Sequence, residues 1–163
     1  MTEEKWTVCL SVDSFNMTIQ ELIRQRILIL DGALGTMIQK YNLSEEDFRG
    51  TRFVSQPGQM KGNNDLLCLT APHVIQDIHR KYLDAGADII ETNTFSANRI
   101  SQSEYGCGDY AARMAYEGAR LAREVADEYM VGTSEDDASA GRRILVAGSM
   151  GPTSKSLSLS PDV

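Results

Sequence analysis

Residues 26–36 run RILILDGALGT, and the fold class follows from how this stretch is understood. Behind Arg26, positions 27–30 alternate isoleucine and leucine in a short apolar run. So short a run reads as a buried strand, because a helix needs roughly ten residues or more. Asp31 stands where the run stops, with Gly32 and Gly35 beside it. A carboxylate at the C-terminal end of a buried strand, among glycines that let other groups approach the backbone, is how α/β enzymes present a polar group to a ligand. The competing assignment makes Asp31 the N-cap of the helix that follows. The residue types alone leave both open.

The same arrangement recurs twice. Residues 88–90 form a second apolar strand that runs into Glu91, Thr92, Asn93 and Thr94, and residues 144–147 form a third that ends in GSMGP. Helical patterns lie between them. Residues 33–41 carry Leu34, Met37 and Ile38, with Asn42 as terminator. Pro72 opens a helix with Val74, Ile75, Ile78 and Tyr82 on one face and Gly86 as its stop. Residues 109–129 form a long helix whose inner positions include Ala111, Ala115, Ala122, Val125 and Tyr129; its alanines suit close packing on a sheet. Strand-then-helix units of this kind need a parallel sheet with crossover connections. In such sheets the ligand lies at the C-terminal strand ends, where Asp31, residues 91–94 and residues 148–151 converge. No G-x-G-x-x-G follows the first strand and no P-loop is present, so a (β/α)8 TIM-type barrel is favoured over a doubly wound sheet. A whole barrel takes about 250 residues. The expectation is therefore an α/β fold that is the N-terminal portion of such a barrel, truncated after about three strands.

The connections add detail. Thr18 with Glu21, and Ser44 with Asp47, are capping boxes that each open a short helix, the second closed by Gly50. Residues 51–69 form a long irregular stretch. Loops of that length inside a compact domain are usually functional or disordered, and the run of KGNNDLL into Leu66, Leu67 and Leu69 argues for docking. His73 and His79, six apart on one helix, face different ways and do not share a metal; both read as surface or capping histidines. Residues 132–141, GTSEDDASAG, read as an exposed polar loop.

Bulk properties narrow the function classes. A net charge of −7 argues against nucleic acid as a partner. No apolar run approaches the roughly 20 residues that span a membrane, and the acidic N-terminus lacks a signal-peptide pattern. Cys9, Cys68 and Cys107 are odd in number and widely spaced, which suggests neither a disulfide framework nor a metal knuckle. A cytoplasmic protein with reduced thiols is the expectation, with each cysteine buried or incidental.

The segments LDGALGTMIQ, FRGTRF, KGNNDLL-x-LTAP, AGADIIETNTF and GSMGPTSKSLSLSPDV, in this order from Thr18 to Val163, resemble the homocysteine-binding region of cobalamin-dependent methionine synthases, within the homocysteine S-methyltransferase family. DGALGT and ETNTF are similar to the broader family, while the insertion with FRG and KGNNDLL points to the methionine synthase branch. The resemblance implies a (β/α)8 barrel that holds homocysteine and a zinc ion at its strand ends. Methyl transfer would run from methylcobalamin, itself methylated by 5-methyltetrahydrofolate, to a zinc-activated homocysteine thiolate in methionine biosynthesis. Folate- and cobalamin-binding domains would lie downstream.

Residue by residue, the resemblance implies that Asp31 pairs with the homocysteine ammonium and that Gly32 and Ala33 offer backbone contacts. Glu91, Thr92 and Asn93 would form a second wall, with Glu91 equally able to serve as an acid that orients the loops. The family's zinc cysteines lie in an Asn-Cys segment and a Gly-Gly-Cys-Cys-Gly segment, and neither occurs here. No metal ligand and no catalytic residue is assigned, and zinc and cobalamin are expected to be bound elsewhere. Residues 1–17 read as a lead-in, and residues 18–163 as a partial homocysteine-binding barrel that continues beyond Val163. The alternatives are a catalytically inactive fragment without the zinc ligands, and a standalone homocysteine S-methyltransferase that uses another donor.

Overall fold

The computed structural model describes residues 18–132, 143–153 and 155. The lead-in, the expected polar loop at 132–141 beyond its first residue, and most of the Ser-rich end lie outside the described residues, and so does Cys9.

The first element among the described residues is α1 (Ile19–Gln25), held by the Thr18–Glu21 capping box. Next come α2 (Leu34–Gln39) and α3 (Glu45–Arg49), the latter capped reciprocally by Ser44 and Asp47 and ended at Gly50. Asn42 adopts a left-handed conformation (φ +50°) that turns the chain between them. The long stretch after Gly50 is docked, as its apolar residues imply: Phe53, Met60, Leu66 and Leu67 are all buried. It is also less irregular than the sequence suggests. A 3-10 turn at Asn64–Leu66 passes into α4 (Leu67–Thr70), because the apolar triplet finds a helical face to bury. Next come α5 (Pro72–Asp84), β1 (Ile89–Glu91), α6 (Arg99–Ser103), α7 (Ala111–Gly132) and β2 (Leu145–Ala147). Pro72 occupies the first turn of α5, and Gly86, at φ +102°, lets the chain turn out of it.

β1 and β2 pair in parallel, with Ile89 opposite Leu145 and Glu91 opposite Ala147. Such strands need a crossover, and α7 supplies it. The first strand is present only as a single parallel bridge, Leu30 to Ile89, on the other side of β1. Its expected burial is not found: Ile27 is 87% exposed, Ile29 55% and Leu30 50%. Among the described residues it has one neighbouring strand and nothing covers its other face. The resulting fold is mixed α/β, helix-rich, with a small parallel sheet.

The first strand is held at its N-terminal end by charge. Buried Asp88 accepts from both terminal guanidinium nitrogens of Arg26, Nη1 and Nη2, at 2.8 Å and from the Ile29 N–H at 3.0 Å. The clamp fixes the register that carries Asp31 to the far end of the strand. Asp88→Ala is expected to cost about 2 kcal/mol in urea unfolding, the range for hydrogen bonds to charged groups with one partner half in water. A variant as stable as the parent would show that the bridge alone holds the strand.

Two apolar clusters form the interior. One joins the 51–69 stretch to α4, α5 and α7 through residues such as Phe53, Leu67, Ile75 and Met114; the other packs Leu83, Ile90, Val125 and Ile144 around the sheet. His79 corrects the sequence reading, for it is fully buried rather than at the surface. It follows Ile75 and precedes Leu83 by four residues each, so it lies on the same stripe of α5, between the two clusters.

Gly118 marks the closest approach of α7 to the loop after β1. A Cβ there would lie 2.5 Å from Thr94 Cγ2, 3.3 Å from the Asn93 carbonyl and 3.4 Å from Cys68 Sγ. Thr94 has little room to yield, since its hydroxyl bonds the Thr92 hydroxyl and the Ser149 carbonyl. Alanine is ordinarily better than glycine in a helix by about 1 kcal/mol. Gly118→Ala is nevertheless expected to lose about 1 kcal/mol net, because overpacking outweighs the propensity gain. A rise in melting temperature would contradict this.

Candidate functional site

At the C-terminal end of β1 the chain forms an open cavity of about 400 Å³. Asp31, Gly32, Ala33, Glu91, Thr92 and Asn93, the residues singled out in the sequence, all line it. The first three come from the end of the first strand and the last three from the end of β1 and the turn beyond it.

Asp31 is not a helix cap. Ala33 occupies that position without any side-chain bond, while the Asp31 carboxylate crosses to the next strand and accepts the Glu91 N–H through Oδ2 at 3.0 Å. Its Oδ1 is buried with no hydrogen-bond partner among the described residues. Burial pushes the carboxyl up to about 6, the nearby Glu91 charge adds to this, and the Glu91 N–H works against it. An ionised oxygen held so has a site ready for a cationic donor.

Glycine at 32 has a local cause: a Cβ would stand 3.3 Å from the Tyr82 hydroxyl. At Gly35 a Cβ would meet the Asn64 amide nitrogen at 3.5 Å, an ordinary contact, so space alone does not require glycine there.

Thr92 and Asn93 spend much of their polarity on the frame. The Thr92 hydroxyl accepts the Ser149 N–H at 2.9 Å and meets the Thr94 hydroxyl at 2.6 Å, which ties the ends of β1 and β2 together. Asn93 donates from Nδ2 to the Asn64 carbonyl at 2.8 Å and takes the Cys68 thiol on its own carbonyl at 3.4 Å. Gly151 donates its N–H to the Phe95 carbonyl at 2.9 Å and sits so near the Phe95 ring that a Cβ would be 2.5 Å away. Residues 148–151 thus bring the third strand end against the second.

The sequence reading did not name Asn63, Asn64, Asp65, Ser96, Tyr105 or Ser149 as site residues, yet all line the cavity. The first three belong to the KGNNDLL segment, whose polar run against leucines was the available signal. Asp65 is buried; it accepts the Ser96 N–H at 2.9 Å, and desolvation raises its pKa. Tyr105 follows α6, a helix the sequence pattern did not reveal, and only the tertiary fold brings it in.

Neither Cys68 nor Cys107 lines the cavity. Cys68 is buried behind Asn93 with its thiol pushed up to about 12 by desolvation, and Cys107 lies buried with its Sγ 3.9 Å from Met60 Sδ. Among the described residues no three His, Cys, Asp or Glu side chains converge on a metal position. No helix among them is long and apolar enough to cross a membrane.

A family model described as homocysteine S-methyltransferase matches residues 28–163. Two solved structures of the homocysteine methyltransferase MmuM from Escherichia coli are similar in fold. The metallated form has a TM-score of 0.59 at 22% identity over 80% of this chain. The oxidized form has 0.61 at 23% identity over 82%. The chain spans about 40% of the length of each.

Proposed function

The chain belongs to the homocysteine S-methyltransferase family, and from that premise we propose that residues 18–163 are the first part of a (β/α)8 barrel that binds homocysteine for methylation. Asp31 takes the substrate ammonium, with Glu91 as a second carboxylate on the same cavity. Gly32 and Ala33 pass their backbone close to the ligand, and Thr92 and Asn93 hold the wall. The observation that carries this reading is Asp31 Oδ1, a buried acceptor without a partner among the described residues, beside a cavity large enough for a small amino acid. Among the described residues β1 pairs with β2 on one side and with the Leu30 bridge on the other, and no further strand flanks this parallel arrangement, which is what the first part of a barrel would look like.

Within the family we assign the methionine synthase branch, with methylcobalamin as donor, on the strength of the insertion at 51–69, which forms one wall of the cavity. The described residues do not fit a zinc site, and no step of methyl transfer is assigned to them. In this proposal the zinc ligands and the folate- and cobalamin-binding domains belong to polypeptide outside these residues. The contribution of these residues is to bind and orient the substrate.

Calorimetry with L-homocysteine and with 4-sulfanylbutanoate, which lacks the ammonium, tests the assignment. Homocysteine is expected to bind, and the analogue to bind at least about tenfold more weakly, the loss of one charge-assisted contact. Equal affinities, or no binding of homocysteine, would refute it.

A further inference from the structure

Two buried amides join the insertion to the far side of the cavity. Asn63 donates from Nδ2 to Gln102 Oε1 at 2.7 Å, and Gln102 returns a bond from Nε2 to Asn63 Oδ1 at 3.0 Å. Asn63 is 2% exposed and Gln102 is fully buried. The second Gln102 N–H reaches the Ser96 carbonyl at 3.2 Å. Gln102 comes from α6, whose start is fixed by Asn98 accepting the Ser101 N–H. Beside this pair, the Asn64 carbonyl takes the Asn93 amide and Asp65 takes the Ser96 N–H. The segment bearing Gly62, Asn63, Asn64 and Asp65 is therefore sewn to the loop after β1, and all four of its residues line the cavity that Asp31 faces.

An apolar pair at these positions would stabilise the interior about as well, since a buried hydrogen-bonded pair exchanged for matched apolar groups is often near neutral. A reciprocal amide pair does something that apolar packing does not. It is satisfied in one mutual placement only, and a slip of the wall leaves polar groups buried and unpaired. We infer that Gln102 is a positioning residue: its clasp on Asn63 holds the Gly62–Asn63–Asn64–Asp65 wall at the distance that fits homocysteine between that wall and Asp31. The inference rests on the homocysteine reading of the cavity, and it adds a residue on α6, which does not itself line the cavity.

The test compares the full chain with Gln102→Met, which keeps length and removes the amide, and with the exchanged pair Asn63→Gln/Gln102→Asn, which restores two amides. Amide hydrogen exchange is followed at Ser96 and Leu66, which bond Asp65 and Asn63, with Leu121 and Val125 of α7 as internal controls. Homocysteine affinity is measured by calorimetry well below the melting temperature. Gln102→Met is expected to speed exchange at Ser96 and Leu66 by about tenfold while α7 stays protected, a local release rather than global unfolding. Affinity should fall about fivefold, and the exchanged pair should recover most of both effects. If Gln102→Met does not fold, Gln102→Glu, which keeps the acceptor and loses both donors, takes its place. Unchanged exchange at Ser96 in a folded variant would overturn the clasp. A loosened wall with unaltered affinity would reduce Gln102 to a structural part and overturn its positioning role. Failure of the parent chain to bind homocysteine would instead bring down the functional reading, and with it the positioning role, while the exchange data still judge the clasp.

Discussion

Asp31→Asn is expected to weaken homocysteine binding by about a hundredfold, the cost of removing one member of a desolvated charge pair, and to leave the chain no less stable at pH 7. Asparagine keeps an oxygen for the Glu91 N–H, so the turn after the first strand stays in place and only the charge is lost. The two effects run in opposite directions because Asp31 is strained as an anion. Its folded-state pKa lies near 6, above the ordinary 3.8. A carboxyl raised in this way contributes stability fully below about pH 3.8, and that contribution is lost as pH rises through 6. At neutral pH the parent therefore carries a penalty that the variant lacks. Binding has the reverse dependence, since only the ionised carboxylate attracts the ammonium. Affinity in the parent should climb between pH 5 and pH 7 around the midpoint near 6, whereas the variant should show no such rise. Calorimetric titrations across that range, with melting curves at pH 7, decide the matter. A variant that binds like the parent, or parent affinity that is flat through pH 6, would remove Asp31 from the ammonium site.

The parts legible in the sequence are those whose cause is local. Thr18 with Glu21, and Ser44 with Asp47, cap helices because the bonds that do so lie within four residues. Pro72 and Gly86 bound α5 for equally local reasons. Strand ends that carry Asp31 and Glu91 could be placed together because parallel β/α units leave their C-terminal ends on one side. What the sequence hid depends on contacts far apart in the chain. Gln102 and Tyr105 sit on or after a helix of one and a half turns, too short to show a period, and they matter only because residues 61–65 fold over them. The first strand misled in the other direction. RILIL has the composition of a buried strand, but burial is conferred by neighbours, and the described residues supply a neighbour on one side only.

His79 shows the same limit and yields the largest effect expected on stability. Its spacing from His73 excluded a shared metal, yet no local pattern says that position 79 falls on the inner stripe of α5 with Ile75 and Leu83. Both ring nitrogens are buried without partners among the described residues, and burial alone drives the pKa from 6.5 to about 4. A base depressed in this way contributes stability fully above pH 6.5, and that contribution is lost as pH falls toward 4. A change of that size corresponds to roughly 3 kcal/mol across the window. His79→Leu, of similar bulk and with no polar atoms to leave unpaired, should match or exceed the parent at pH 7. At pH 4 it should be the more stable of the two by about that same roughly 3 kcal/mol. Taking the difference between the two proteins at each pH cancels Asp31, whose raised pKa pulls the opposite way in the same range, along with the other carboxylates. Urea unfolding of both proteins at several pH values from 4 to 7 measures it. A difference that does not grow as the solution is acidified would mean that His79 finds a partner or reaches water, and that the junction between the two apolar clusters is not dry.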